Sequence, residues 1–202
     1  VALEVVPAHR AAWEDLVQVF GTRGAGQRCW CQRYKLFPRE SFGGFPAEER
    51  AERMREQAGC EVPGSTETSG LVAYDDGTPV GWAAVEPRPR FHGLVRNQKV
   101  PWAGRDEDRA DESVWAITCL FVRAGHRRRG VSRELAHAAV AHARERGARA
   151  VEAYPMTTTR AIDEELHVGL LEVYLEAGLR EVSRPTPRRA VVRLDLRDDG
   201  TP

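Results

Sequence analysis

The chain has 202 residues, with thirty Lys and Arg balanced by thirty Asp and Glu. A net charge of zero excludes a global field that draws nucleic acid, so any polyanion site must be local. The length suits one domain, read as residues 1–196, with a polar tail at 197–202 expected to be disordered. No apolar run reaches the length of a membrane span, and the first residues show no basic-then-apolar signal pattern. Four cysteines are too few for a disulfide scaffold. Together these features predict a reduced, cytoplasmic protein without membrane or nucleic-acid partners.

Residues 3–6 read as a short strand before Pro7. Residues 11–20 carry Trp13, Leu16, Val17 and Phe20 on one helical stripe. Residues 21–45 form a long irregular segment rich in Gly, Arg and aromatics. Pro46 opens a second helix over 47–58, whose narrow apolar side of Ala47, Ala51 and Met54 suits a peripheral cover. Strands at 71–74 and 79–85 flank the turn Asp75-Asp76-Gly77 and make a hairpin. Residues 86–113 are a long irregular connection. Such connections are uncommon in compact domains and often functional, so an acceptor-side lid or wall is expected here.

Residues 114–122 are apolar on both faces, with Val114, Ala116, Thr118, Leu120 and Val122 on one and Trp115, Ile117, Cys119 and Phe121 on the other. That predicts a central strand covered on both sides. The next helix places Val131, Leu135, Ala138, Ala139 and His142 on one stripe and ends at Gly147. A strand at 150–154 stops at Pro155. A helix at 166–177 closes with Gly178, and strands at 179–183 and 190–196 flank a Pro-rich turn. The order predicts an α+β fold on a mixed sheet, not a repeated βαβ ladder.

The strongest functional signal lies between that central strand and the helix after it. The turn holds Arg123, His126, Arg127, Arg128, Arg129 and Gly130. A buried strand feeding a glycine-containing loop and a helix N-terminus converges backbone N–H groups on one point and favours negative charge there. Four arginines within seven residues suit a multiply charged anion. Gly130 fits the place where backbone must approach phosphate without a Cβ, and Ser132 is small enough to allow the same. Cys29-x-Cys31 is too isolated for a zinc site, and no metal is expected.

The pattern Arg127-x-x-Gly130-x-Ser132 resembles the Arg/Gln-x-x-Gly-x-Gly/Ala loop of the GCN5-related N-acetyltransferase (GNAT) superfamily, with Ser132 in place of the usual Gly or Ala. The element order is similar over nearly the whole chain. The resemblance implies a mostly antiparallel central sheet of about seven strands, flanked by helices and splayed at the cofactor site. It implies acetyl-coenzyme A as cosubstrate, with its pyrophosphate wrapped by the loop. The implied cofactor-binding residues are Leu120, Phe121, Val122, Arg127, Arg128, Arg129, Gly130, Val131, Ser132 and Arg133. In that family a backbone N–H near the end of the strand polarises the thioester carbonyl, which points to Phe121, Val122 or Arg123.

The segment Tyr174-Leu-Glu-Ala-Gly178-Leu179 resembles the family's Tyr-x-x-x-Gly-Phe and implies Tyr174 as the proton donor to the thiolate. Many relatives carry a Glu in or beside the central strand. Here the strand has no acid, and Glu112 is carried as the catalytic base, with Asp111, Glu86, His92, His126, His167 and a water relay left open. Trp30, Tyr34, Phe37, Phe42, Phe45, Phe91 and Trp102 either line an acceptor pocket or fill the core under the long loops. The acidic run Asp106-Glu107-Asp108, with Asp111 and Glu112, could draw a cationic small molecule.

The implied activity is acetyl transfer to a primary amine, with a small-molecule acceptor favoured. The alternatives are an inactive acyl-coenzyme A-binding module and a protein- or RNA-directed acetyltransferase, the last using Arg88, Arg90, Arg96 and Lys99 as a patch. A homodimer is left open.

Overall fold

The computed structural model describes residues 3–196, so the tail expected at 197–202 lies outside the described residues. The chain begins β1 (Leu3–Pro7), α1 (Trp13–Phe20), α2 (Gly24–Cys29) and α3 (Ala47–Ala58). It continues β2 (Gly70–Asp75), β3 (Thr78–Pro87), α4 (His92–Val95), β4 (Val114–Val122) and α5 (Val131–Glu145). It ends β5 (Ala150–Ala153), α6 (Asp163–Leu166), α7 (Leu171–Glu176), β6 (Arg180–Thr186) and β7 (Arg189–Asp195). The seven strands form one sheet in the order β1-β2-β3-β4-β5-β7-β6. Only β4 and β5 run parallel; every other neighbouring pair is antiparallel.

Each sheet face buries its own core. Leu71, Val80, Val85 and Ile117 pack with Leu135 and Ala139 of α5 on one side. Val72, Trp82, Ala84 and Ala116 pack with Leu16 and Phe20 of α1 and Met54 of α3 on the other. Leu135 is fully buried, so truncating it to Ala costs about 2–5 kcal/mol.

The faces of β4 are not the strict alternation read from its residues. Ala84 pairs with Cys119 while Val85 pairs with Ile117, so Thr118 is an extra residue, a β-bulge. The bulge exchanges the two faces. Leu120 and Val122 join Trp115 and Ile117 on the α5 side, and Cys119 and Phe121 turn toward α1.

Two other expectations are corrected. The segment read as irregular contains α2, whose first turn carries two poor helix formers, Gly24 and Gly26. Packing holds it: a Cβ on Gly26 would come within 2.7 Å of the Phe121 ring. The last helix, read as continuous from 166 to 177, is broken into α6 and α7, with Gly169 at φ 81° between them.

Residues 86–113 begin with the last two residues of β3 and then contain a 3-10 turn and α4, and an ion network staples them to the sheet. Glu152 of β5, fully buried, accepts from Arg88 at 3.1 Å, Arg193 at 2.9 Å, the Tyr154 hydroxyl at 3.2 Å, and Arg105. Burial alone would raise the Glu152 pKa; the Arg105 hydrogen bond and the charges of Arg105 and Arg88 outweigh it and hold it below the ordinary range. Glu107 pairs with the same three arginines. Within the acidic run, Glu107 is therefore not a free carboxylate. Of the four residues expected for an RNA patch, Arg88 is fully buried, Arg90 faces Glu67 and Glu86, Arg96 donates to the Leu36 carbonyl, and Lys99 is exposed.

Candidate active site

The parallel pairing of β4 and β5 runs only from Val114 with Ala150 to Ile117 with Ala153. Beyond it β4 continues through the bulge to Val122, while β5 gives way to Pro155, which has no N–H to donate. Residues 167–171 thread into the gap. The Leu120 N–H donates to the His167 carbonyl at 2.7 Å, and Met156 exchanges bonds of 2.9 Å with Gly169 and Leu171. A cleft of about 260 Å³ opens beside this crossing. Its floor is Cys119, Leu120, Phe121 and Val122. Phe20, Ala25, Gly26, Cys29, Cys31 and Arg33 form one wall, and Leu166, His167, Gly169, Leu170 and Val173 the other. Arg127, Arg128 and Ser132 stand at the loop end.

That loop is built as an anion cradle. Arg128 and Gly130 both lie in the left-handed region, at φ 61° and 86°, which turns successive N–H groups to one side. A non-glycine residue held there stores of order 1–3 kcal/mol of strain, and such strain clusters at binding sites. The N–H groups of Val131 and Ser132 open α5 and have no intrahelical acceptor. A Cβ on Gly130 would meet nothing within 4 Å, so glycine serves the backbone turn and leaves the approach open. These features fit a pyrophosphate.

Not every loop arginine faces the cleft. Arg129 pairs with Asp75 at 3.1 Å, and Arg133 with Glu176. His126 also lies near Asp75, at 3.7 Å. The Val131 side chain is buried in the core, so Val131 offers the cleft only its N–H.

Strand geometry chooses among the expected carbonyl donors. Arg123 donates to Val80 on β3, whereas Leu120 donates across the gap. Alternation therefore turns the N–H of Val122 to the cleft edge and that of Phe121 away from it.

The two expected catalytic side chains do not stand at the cleft. Glu112 is exposed and precedes β4, roughly 26 Å of strand from Leu120. Tyr174 is fully buried behind Gly169, and its hydroxyl donates to the Val168 carbonyl at 2.8 Å. Desolvation raises its pKa well above that of a free phenol. Its proton is thus committed to a backbone carbonyl one layer behind the wall. Asp111 is held by Ser113 and Arg149, and its pKa falls to about 2. Glu86 is buried against Lys35, which lies over the Phe91 ring. His92 stacks on Phe37.

His167 is different. Its Nδ1 is 2.6 Å from the Glu164 carbonyl, which can only accept, so Nδ1 carries the proton. Nε2 is then a bare lone pair, buried and without a partner. Burial, the largest influence, lowers the ring's pKa to about 4. The imidazole is a neutral acceptor on the cleft wall.

Trp30, Phe45, Phe91 and Trp102 fill the core, and none of the seven expected aromatics lines the cleft; Phe20 and Phe121 do. No residue of 86–113 lines it either, so the expected lid is absent from this cleft. Three thiols were not foreseen as neighbours there: Cys29, Cys31 and Cys119. Contact with Cys31 and burial push the Cys119 thiol pKa well up, and burial raises that of Cys29. These thiols meet only through the β4 bulge and the left-handed backbone at Trp30 and Cys31, which no local spacing reveals.

Solved structures with a similar fold include acetyltransferases. An N-acetyltransferase from Staphylococcus aureus Mu50 is 14% identical with a TM-score of 0.55, over 98% of this chain and 100% of that one. An acetyltransferase from Salmonella typhimurium, solved with acetyl-CoA, is 13% identical with a TM-score of 0.55, over 100% and 98%. The PaiA N-acetyltransferase of Thermoplasma acidophilum, solved with coenzyme A, is 12% identical with a TM-score of 0.51, over 96% and 99%. No curated protein matches the chain. At these identities the solved structures establish the shared fold. Residues 30–164, more than half of the chain, match the model of the acetyltransferase (GNAT) family. On that match, with a sheet whose central parallel pairing ends at Ile117, the chain belongs to the GNAT acetyltransferase family.

Proposed function

We propose that the protein transfers the acetyl group of acetyl-coenzyme A to a primary amine of a small molecule. The observation that carries this reading is one continuous cleft, with the 127–132 loop at one end and His167, whose buried Nε2 has no partner, among its lining residues. Acetyl-coenzyme A supplies an activated thioester. Arg127, Arg128 and the N–H groups from Gly130 to Ser132 hold its pyrophosphate. The Val122 N–H faces the carbonyl oxygen, where one well-aimed donor is worth about 2.7–4 kcal/mol. Leu120, Phe121 and Phe20 exclude water from the reacting end.

His167 Nε2 takes a proton from the nitrogen as the C–N bond forms and returns it to sulfur as the C–S bond breaks. No net proton is exchanged. A ring with so low a pKa cannot strip an ammonium ion, so the amine must arrive neutral, and the rate rises with pH through the amine's own pKa. Tyr174 holds the 167–170 crossing in place through Val168.

Four free cysteines support a reducing, cytoplasmic setting. Among the described residues no helix is long and apolar enough to cross a membrane. Thiol release from acetyl-coenzyme A across a panel of amines tests the function. Release dependent on an amine supports it. Binding of acetyl-coenzyme A without release from any amine leaves an acyl-coenzyme A-binding module.

A further inference from the structure

Arg33 lies on the turn after α2 and lines the cleft. Among the described residues its guanidinium makes no ion pair and no hydrogen bond; its one contact of note is the face of Phe42, 4.6 Å away. Its Nε is buried without an acceptor. An unpaired buried donor on a charged group costs about 1–3 kcal/mol or more, so folding tolerates one where something else supplies the partner. The acid that lines the cleft, Glu164, feels the Arg33 charge but is already bound to Arg28 at 2.7 Å. Among the described residues the Arg128 side chain likewise makes no hydrogen bond or ion pair, but it belongs to the proposed phosphate loop.

Arg33 stands instead at the acyl end. It is two residues from Cys31, which contacts Cys119 on the floor. Its charge is felt at Cys29 and at His167, where it lowers the pKa of both. Arg50 shares the Phe42 ring at 4.1 Å, and Arg189 adds a further positive field at His167. A purely cationic acceptor meets repulsion here, and among the described residues lining the cleft the acid, Glu164, is paired with Arg28.

Resting on the acetyl-transfer reading above, we propose that the acceptor is amino-acid-like: a primary amine directed at His167 Nε2, with a carboxylate clamped by Arg33. The planar guanidinium fork matches a carboxylate in two parallel hydrogen bonds. The same contact orders the amine against the acyl carbon and supplies the missing partner for Arg33.

The test is steady-state kinetics with amino acids and their primary amides, on the parent protein, Arg33→Gln and Arg33→Lys. The parent should use the carboxylate member at least tenfold more efficiently in kcat/KM. Arg33→Gln should shrink that ratio at least tenfold, mainly through KM, and Arg33→Lys should keep part of it. Coenzyme A affinity by calorimetry and Tm should match the parent. Equal use of acid and amide by the parent overturns the proposal. So does a loss of coenzyme A affinity in Arg33→Gln, which would give Arg33 to the cofactor. Turnover of plain alkylamines but not amino acids also overturns it and leaves acetyl transfer standing. Thiol release from no amine of either kind overturns acetyl transfer itself, and the proposal with it.

Discussion

The Leu120 N–H donates to the His167 carbonyl at 2.7 Å, across the gap where β4 and β5 part. This bond fixes residue 167 against the strand that floors the cleft. It also occupies one of the cleft-facing strand donors and leaves Val122 as the next along that edge. The ring of the same residue is pinned from the other side by the Glu164 carbonyl. One residue is thus held at both its backbone and its side chain, with a lone pair left over.

That environment predicts a pH-dependent stability. Burial lowers the His167 pKa from 6.5 to about 4. Between those values the unfolded chain binds a proton that the folded one does not, so stability is complete above about pH 6.5 and falls as pH drops toward 4. His167→Asn should remove that part of the slope. Urea midpoints from pH 7 to 4 check this, and parallel curves for parent and variant would show that the ring titrates normally.

Glu152 carries the attachment of the long insertion. Glu152→Gln removes the buried charge shared by Arg88, Arg105 and Arg193 and leaves three guanidinium groups with only Glu107, and Asp195 at Arg193, as counter-charges. The expected loss is about 3–5 kcal/mol in urea unfolding. None of these four residues lines the cleft, so the folded fraction should still bind coenzyme A. A loss below about 1 kcal/mol, the range of an exposed pair, would mean the network contributes little.

Tyr174→Phe separates two roles. The hydroxyl satisfies the buried Val168 carbonyl, so its removal should cost about 1–3 kcal/mol. The chemical step should change by less than about tenfold, against the two to four orders of magnitude expected of a direct acid. Single-turnover rates beside Tm values decide it. An unchanged Tm with a collapse in rate would show that Tyr174 reaches the sulfur.

The loop proposed to hold the cofactor was legible because its pattern is local. A strand, the Arg127-x-x-Gly130-x-Ser132 loop and a helix start follow one another in sequence, and their joint meaning needs no distant contact. The reacting end depends on register instead. The bulge at Thr118 exists only in the pairing of β3 with β4, yet it decides that Cys119 and Phe121 face α1. Glu112 looked close to the central strand, but it adjoins the wrong end of it. Gly169 sits inside a helical pattern, and only its left-handed backbone shows the break that brings His167 to the cleft. Arg33 was one arginine in a basic loop until its lack of a partner could be seen.

Calorimetric titration of acetyl-coenzyme A into the protein and into Gly130→Asp tests the cleft most directly. The parent should bind one equivalent. The variant adds a Cβ at φ 86° and a negative charge against the pyrophosphate, so its affinity should fall at least tenfold, about 1.4 kcal/mol or more, with an unchanged circular dichroism spectrum. Equal affinity in a folded variant would contradict the placement of the cofactor at this loop.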